Sequence, residues 1–200
     1  MKTTVVDLLK NRRSIYALGK NVTASQEEIA SLVKSVVREA PTAFNGQTTR
    51  AIILFGDKHD QLWDIVVKRL KSEVPTEAAY ESTKAKIASF KAGFGTIMYF
   101  TDEDIVRNEE QQFELYADNF ADWAEQAQGN AQLAVWTALA ENGIGASLQH
   151  YNPIIDELVH DAFDIPSNWR LRAQMPFGSI EAAAGEKEYM DDESRFRVLK

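Results

Sequence analysis

The chain contains no cysteine, which excludes a disulfide-stapled scaffold, a thiolate zinc site, an iron–sulfur cluster and a cysteine nucleophile. Histidine is nearly as scarce. His59, His150 and His160 are the three present, and none lies four residues from another, so no paired-imidazole metal motif exists and no metal site is expected. Proline and glycine are few, at 5 and 10 of 200 residues, and no Ser/Gly-rich linker or internal repeat interrupts the chain. One continuous domain over residues 1–200 is the expectation. No window approaches the run of about 18 apolar residues that a membrane span requires. Positive charge is in deficit: 22 Lys+Arg stand against 30 Asp+Glu, for a net charge of −8. That balance opposes a role built on gripping nucleic acid or an anionic membrane surface. The apolar stretch within Met1–Ser14 is too short and too soon charged for a secretory signal, so a cytoplasmic location is expected.

What the chain has is material for a core. Hydrophobic residues make up 44%, and a chain of this size can bury about 70% of its extended surface. Helical spacing places Val5, Val6, Leu8 and Leu9 on one side of a short helix over Thr3–Asn11. Ser25 and Glu28 have capping-box form, and Ile29, Leu32, Val33, Val36 and Val37 then recur on one helical face. That helix is expected to stop at Ala40-Pro41, because the residue before proline avoids the α region. Ala51–Phe55 and Gly95–Thr101 are continuously apolar and read as buried strands, with helices over Asp57–Ser72 and Thr76–Lys91 between them. A helix over Asp102–Phe113 follows. The longest helical stretch is Asn119–Asn142, apolar round much of its circumference, ending at Asn142-Gly143. Ile144–Leu148 reads as a third strand, Asn152-Pro153 as the start of another helix, Trp169–Phe177 as a fourth strand and Ser194–Leu199 as a fifth. Helices and strands do not alternate one for one, which fits α+β and not a doubly wound sheet. Neither a dinucleotide-binding glycine loop nor a P-loop is present.

Three polar clusters carry chemistry. Asn11-Arg12-Arg13-Ser14 offers two guanidiniums and a hydroxyl, donors that fit phosphate oxygens; the alternative is cations decorating a helix end. Thr42, Asn45, Gln47 and Arg50 lie in a loop between a helix and a buried strand. Its amide side chains suit the edge of a heterocycle, or else satisfy their own turn. Arg195 and Arg197 flank Phe196, so in a strand they share a face; the alternative is a solvated tail. Ser14, Ser147 and Ser179 lack the G-x-S-x-G elbow of serine hydrolases. The carboxylates between Asp102 and Glu110 read as a solvated helix face, Trp123 and Trp136 as core, and His150 as a lone residue at a strand end.

In order, these segments resemble the nitroreductase family of flavin enzymes along essentially the whole chain. The segments are Asn11–Tyr16, Ala40–Arg50, the helix Gln132–Asn142 running on to Pro153, Gln174–Tyr189, and Arg195-Phe196-Arg197. The likeness is greatest to the compact branch that includes copper-induced and fungal fatty-acid-repression-type members. It implies a central, mostly antiparallel sheet flanked by helices, and a homodimer with FMN in two sites at the subunit interface. It assigns Arg12, Arg13 and Ser14 to the phosphate and ribityl chain, with Arg195 and Arg197 closing on the same phosphate. Thr42, Asn45 and Gln47 would reach the flavin from the partner subunit, and Gln149 and His150 match the turn whose backbone amide meets flavin N5. The chain departs from the family pattern at Tyr16, where a cation is usual, and at Thr48-Thr49, where Pro-Trp is usual; Arg50 is a candidate substitute for the lost cation. The implied activity is oxidation of NADH or NADPH through FMN, with nitroaromatics, quinones or similar electrophiles as acceptors. The alternatives are a flavin-binding stress or lipid-signalling regulator with low turnover, and a flavin-free binding protein.

Overall fold

Runs as apolar as Ala51–Phe55 and Gly95–Phe100 need cover on both faces, and the fold supplies it with a sheet between two helical layers. The computed structural model describes residues 1–200. In chain order the elements are α1 (Thr4–Asn11), β1 (Leu18–Gly19), α2 (Gln26–Glu39), β2 (Thr49–Phe55), α3 (Gly56–Leu70), α4 (Glu77–Lys91), β3 (Gly95–Asp102), α5 (Glu103–Gln112), α6 (Phe120–Glu141), β4 (Gly145–Ala146), α7 (Asp156–Phe163), β5 (Trp169–Ile180) and α8 (Asp192–Arg195). Strands run in the order β1-β5-β3-β2, β4 joins β5, and every strand pair is antiparallel. The α+β expectation holds.

Alternation along β3 sorts the core. Met98 and Phe100 face α3, α4 and α7, where Trp63, Phe90 and Val159 are fully buried. Ile97 and Tyr99 face α2 and α6, where Ile29, Val33, Val135 and Leu139 close over them. Local signals behave as their chemistry requires. Glu28 N–H donates to Ser25 Oγ (3.1 Å) and Ser25 N–H to Glu28 Oε2 (2.7 Å), completing the capping box. Gly143 takes φ +71° beyond the C-cap of α6, a conformation glycine adopts at no steric cost.

Three expectations are corrected. The strand over Ile144–Leu148 shrinks to Gly145–Ala146, and beyond it the chain stays tied to β5 by Ser147 N–H donating to the Pro176 carbonyl (3.2 Å) and by a Gln149–Gln174 bridge. The helix expected from Asn152-Pro153 begins at Asp156: Gln174 Nε2 donates to Asn152 Oδ1 and Tyr151 N–H to Gln174 Oε1, so the loop is tied to β5 and Asn152 does not cap. No strand forms over Ser194–Leu199. Asp191 Oδ1 accepts from Glu193 N–H and starts the short α8, and the segment beyond it pairs with no strand of its own chain. Arg195 and Arg197 therefore do not share a strand face. No helix is long and apolar enough to cross a membrane.

Candidate active site

α1 packs against the C-terminal half of α6 and delivers the first cluster. Asn11 Nδ2 donates to the Ala140 carbonyl (3.0 Å), and the Arg12 guanidinium lies 4.3 Å from the centre of the Trp136 ring. Trp136 is itself fixed, its indole N–H donating to the Ala146 carbonyl (3.1 Å). Arg12 Nε is buried with no partner. Burial, with the neighbouring Arg13 charge second, pushes the Arg12 pKa down. No carboxylate pairs with this guanidinium, so the protein holds a partly desolvated cation with no counter-ion. Arg13 Nη2 donates to the Gly185 carbonyl (2.7 Å), so the segment after β5 crosses the cluster. Ser14 forms a parallel bridge to Ala146, and Ile15 N–H donates to the Ala146 carbonyl (2.9 Å). That bridge brings Arg12–Ser14 beside the segment leading to Gln149 and His150. Gln149 is buried and donates to Ser147 Oγ (3.0 Å), whereas His150 is exposed.

The second cluster sits at the other half of α6. Asn130 Nδ2 donates to the Pro41 carbonyl (3.3 Å). Asn130 and Trp136 are six residues apart, roughly 9 Å along a helix rising 1.5 Å per residue. Within the loop, Gln47 N–H donates to Thr42 Oγ1 (3.0 Å) and Gln47 Nε2 to the Asn45 carbonyl (3.4 Å). Phe44, Asn45 and Gln47 have φ values of 49°, 57° and 52°, a left-handed region costly to non-glycine residues, by about 1–2 kcal/mol each. Phe44 anchors the loop in an aromatic group, with ring centres 4.6 Å from Phe113, 5.5 Å from Phe120 and 6.0 Å from Trp123. Thr42 and Gln47 also line a groove of about 550 Å³ between α2 and β2, beside Arg50 and Trp169.

Arg50 is committed. Its Nη1 donates to the Gln47 carbonyl (2.7 Å) and its Nη2 pairs with Asp102 Oδ2 (2.9 Å), so it does not stand free as a replacement cation. The acidic run is likewise engaged. Asp102 pairs with Arg50, Glu103 and Asp104 with Arg107, and Glu109 lies buried with its pKa raised by burial. Arg195 and Arg197 are exposed, and Arg195 stacks 5.2 Å over its own neighbour Phe196. One chain thus joins Arg12–Ser14 to the Gln149 segment, and Thr42, Asn45, Gln47 and Arg50 to one another. It does not join the two groups, nor bring the C-terminal arginines to either. Trp136 is the site residue that the sequence does not mark: its periodicity reads as core, and no linear pattern shows that α1 ends against it.

A sequence profile of the Nitroreductase family matches residues 9–179. The chain belongs to the nitroreductase family. HBN1 of Saccharomyces cerevisiae is 34% identical over 192 residues, 95% of each chain. The solved structure of the nitroreductase CinD from Lactococcus lactis in complex with nicotinic acid is 54% identical, covers 98% of this chain and 100% of its own, and superposes with a TM-score of 0.91. CinD has also been solved with chloramphenicol, at 53% identity over the same coverage and a TM-score of 0.89. A nitroreductase from Desulfitobacterium hafniense with bound FMN shares the fold, with a TM-score of 0.71 over 100% of both chains at 14% identity. Membership of this family makes the protein an oxidoreductase of the nitroreductase type, built on the family's antiparallel sheet and surrounding helices.

Proposed function

We propose that the protein is a homodimeric, FMN-dependent NAD(P)H oxidoreductase that reduces nitroaromatics, quinones or similar electrophiles. The observation that carries the reading is Arg12: a cation stacked on Trp136, its Nε buried without a partner, beside Arg13 and Ser14 and lacking any counter-ion. A phosphate fits that donor set, because guanidinium forks and a hydroxyl match its oxygens and its charge offsets the desolvated cation. Arg12, Arg13 and Ser14 would hold the FMN phosphate and ribityl chain, and of Gln149 and His150 it is His150 that would face the flavin through its backbone amide, because the N–H and carbonyl of Gln149 are both taken by Gln174. Thr42, Asn45 and Gln47 would read the ring from a second copy, and Arg195 and Arg197 would close on the phosphate. When bound, FMN supplies the hydride-accepting and hydride-donating centre. The protein's own groups neutralise the phosphate, orient the ring edge and exclude water. The bound molecules named for CinD, nicotinic acid and chloramphenicol, carry aromatic rings, and small aromatic acceptors are the class expected here.

Surface area supports a second copy completing each site. The chain exposes 12201 Å², roughly 2,700 Å² more than a compact monomer of its mass. Val5, Val6 and Leu9 of α1 and Leu133 of α6 are exposed, the outer edge of β2 is unpaired, and Phe196, Val198 and Leu199 extend into solvent. Such apolar surface is what an obligate dimer covers.

A low-turnover flavin regulator is the second reading. It is favoured by exposed Tyr16 at the family's cation position together with the commitment of Arg50 to Asp102. Steady-state NAD(P)H oxidation with a nitroaromatic or quinone separates the two: turnover supports the enzyme, and bound FMN that does not turn over supports the regulator. Failure to bind FMN at all would overturn both.

A further inference from the structure

We propose that Arg50 and Asp102 are positioning residues, whose ion pair holds the strained Thr42–Gln47 loop in the shape that presents Asn45 and Gln47 outward. The functional consequence rests on the reading of that loop as facing a cofactor across the dimer.

Three loop residues other than glycine in left-handed conformation do not persist on local preference; surrounding contacts must over-determine them. Arg50 supplies the contacts at the C-terminal end. Nη1 donates to the Gln47 carbonyl (2.7 Å) and the Thr49 carbonyl (3.2 Å), while Nη2 is spent on Asp102 Oδ2 (2.9 Å). Asp102 is a buried hub, its side chain 10% exposed. Its Oδ1 accepts from Asp104 N–H (3.1 Å), which begins α5, and from Asn168 Nδ2 (2.9 Å). Its own N–H donates to the Thr48 carbonyl (2.9 Å). One carboxylate therefore fastens the loop's last turn to α5 and to the turn before β5. The α5 segment grips the loop twice more. A Cβ on Gly46 would collide with the Glu109 carboxylate, so the two are in close apposition, and Phe113, just past α5, packs tilted against Phe44 with ring centres 4.6 Å apart. A planar fork reaching two carbonyls and a carboxylate at once is geometry that lysine lacks. The charge on Arg50 is thus directed at shaping the backbone of Gln47.

The test compares the wild type with Asp102→Asn, Arg50→Lys and the control Arg107→Ala. Asp102→Asn keeps an oxygen to cap α5 and meet Asn168 but removes the charge partner. Arg107→Ala removes surface ion pairs of α5 without touching the loop. Two readouts are taken: hydrogen exchange of amides 43–49 in FMN-free protein, and FMN affinity with midpoint potential in reconstituted protein. In Asp102→Asn, exchange in the loop is expected to rise, and FMN affinity to fall, by about tenfold or more, with β3 and α6 amides unchanged. Arg50→Lys should fall between it and the wild type, and Arg107→Ala should match the wild type. Unchanged loop exchange in both site variants would overturn the proposal, as would a rise spread evenly over the core, which marks a merely structural pair. If loop exchange rises but the wild type binds no FMN, the pair holds the loop and the cofactor reading fails instead.

Discussion

Replacing Arg12 with methionine separates the cost of that cation from its use. In the folded protein without a ligand, the partnerless buried Nε costs about 1–3 kcal/mol. Stacking on Trp136 returns about 0.5–2 kcal/mol. These nearly cancel, and a methionine keeps an apolar stem over the indole. The stability of ligand-free Arg12→Met is therefore expected within about 1 kcal/mol of the wild type, on either side. With a phosphate bound the balance changes, because one charge-assisted hydrogen bond is worth about 1.5–3 kcal/mol, or roughly 10- to 150-fold in affinity. At FMN one hundred times above the wild-type Kd, ligand binding adds about 2.7 kcal/mol; a variant weakened about thirtyfold keeps roughly 0.9 kcal/mol. For a chain of this length that is a rise in Tm of about 5–11 °C for the wild type against about 2–4 °C for the variant. Thermal melts with and without FMN, at one fixed protein concentration, read both quantities. The reasoning is refuted if the variant keeps the full FMN shift, or if its ligand-free Tm collapses.

His59 is fully buried, with Nε2 donating to the Lys91 carbonyl and Nδ1 accepting from Thr96 Oγ1, which in turn accepts from the Trp63 indole. Burial chiefly lowers its pKa, so the unfolded chain takes up a proton that the folded one refuses. Stability should therefore fall by up to about 1.4 kcal/mol per unit as pH drops below about 6.5, until the lowered folded pKa is reached; in urea melts this appears as the difference in pH dependence between the wild type and His59→Gln. Ser25→Ala breaks the capping box of α2 and is expected to cost about 1 kcal/mol with no change in FMN affinity, by chemical denaturation and flavin titration. Leu133→Asp places a charge on the exposed apolar face of α6 and is expected to convert the proposed dimer to monomer in light scattering, with loss of bound FMN.

Most of the scaffold was legible because its signals are local. Ser25 and Glu28 announce α2, Ala40-Pro41 ends it, Asn142-Gly143 ends α6, and the two apolar runs become β2 and β3. Errors arose where a distant partner decides. Asn152 has the chemistry of an N-cap, but Gln174 claims its side chain from across the sheet. Phe196–Leu199 has strand composition, yet a strand exists only by pairing, and this segment pairs with no strand of its own chain. In the site, the residue types of Arg12–Ser14 and Thr42–Gln47 were readable, but what they touch was not. The sequence offers Arg50 as a candidate substitute cation, but Asp102, 52 positions away, pairs with it. Trp136 looked like core because periodicity records that a helix is apolar, not which ring receives a guanidinium.

The central claim is that Arg12–Ser14 forms half of an FMN site completed by a second copy. Its most direct test is the absorption spectrum of purified protein incubated with FMN, dialysed, and then treated with NAD(P)H under nitrogen. The account expects flavin bands that survive dialysis at one FMN per chain and bleach on reduction. A spectrum without flavin bands after dialysis would contradict it.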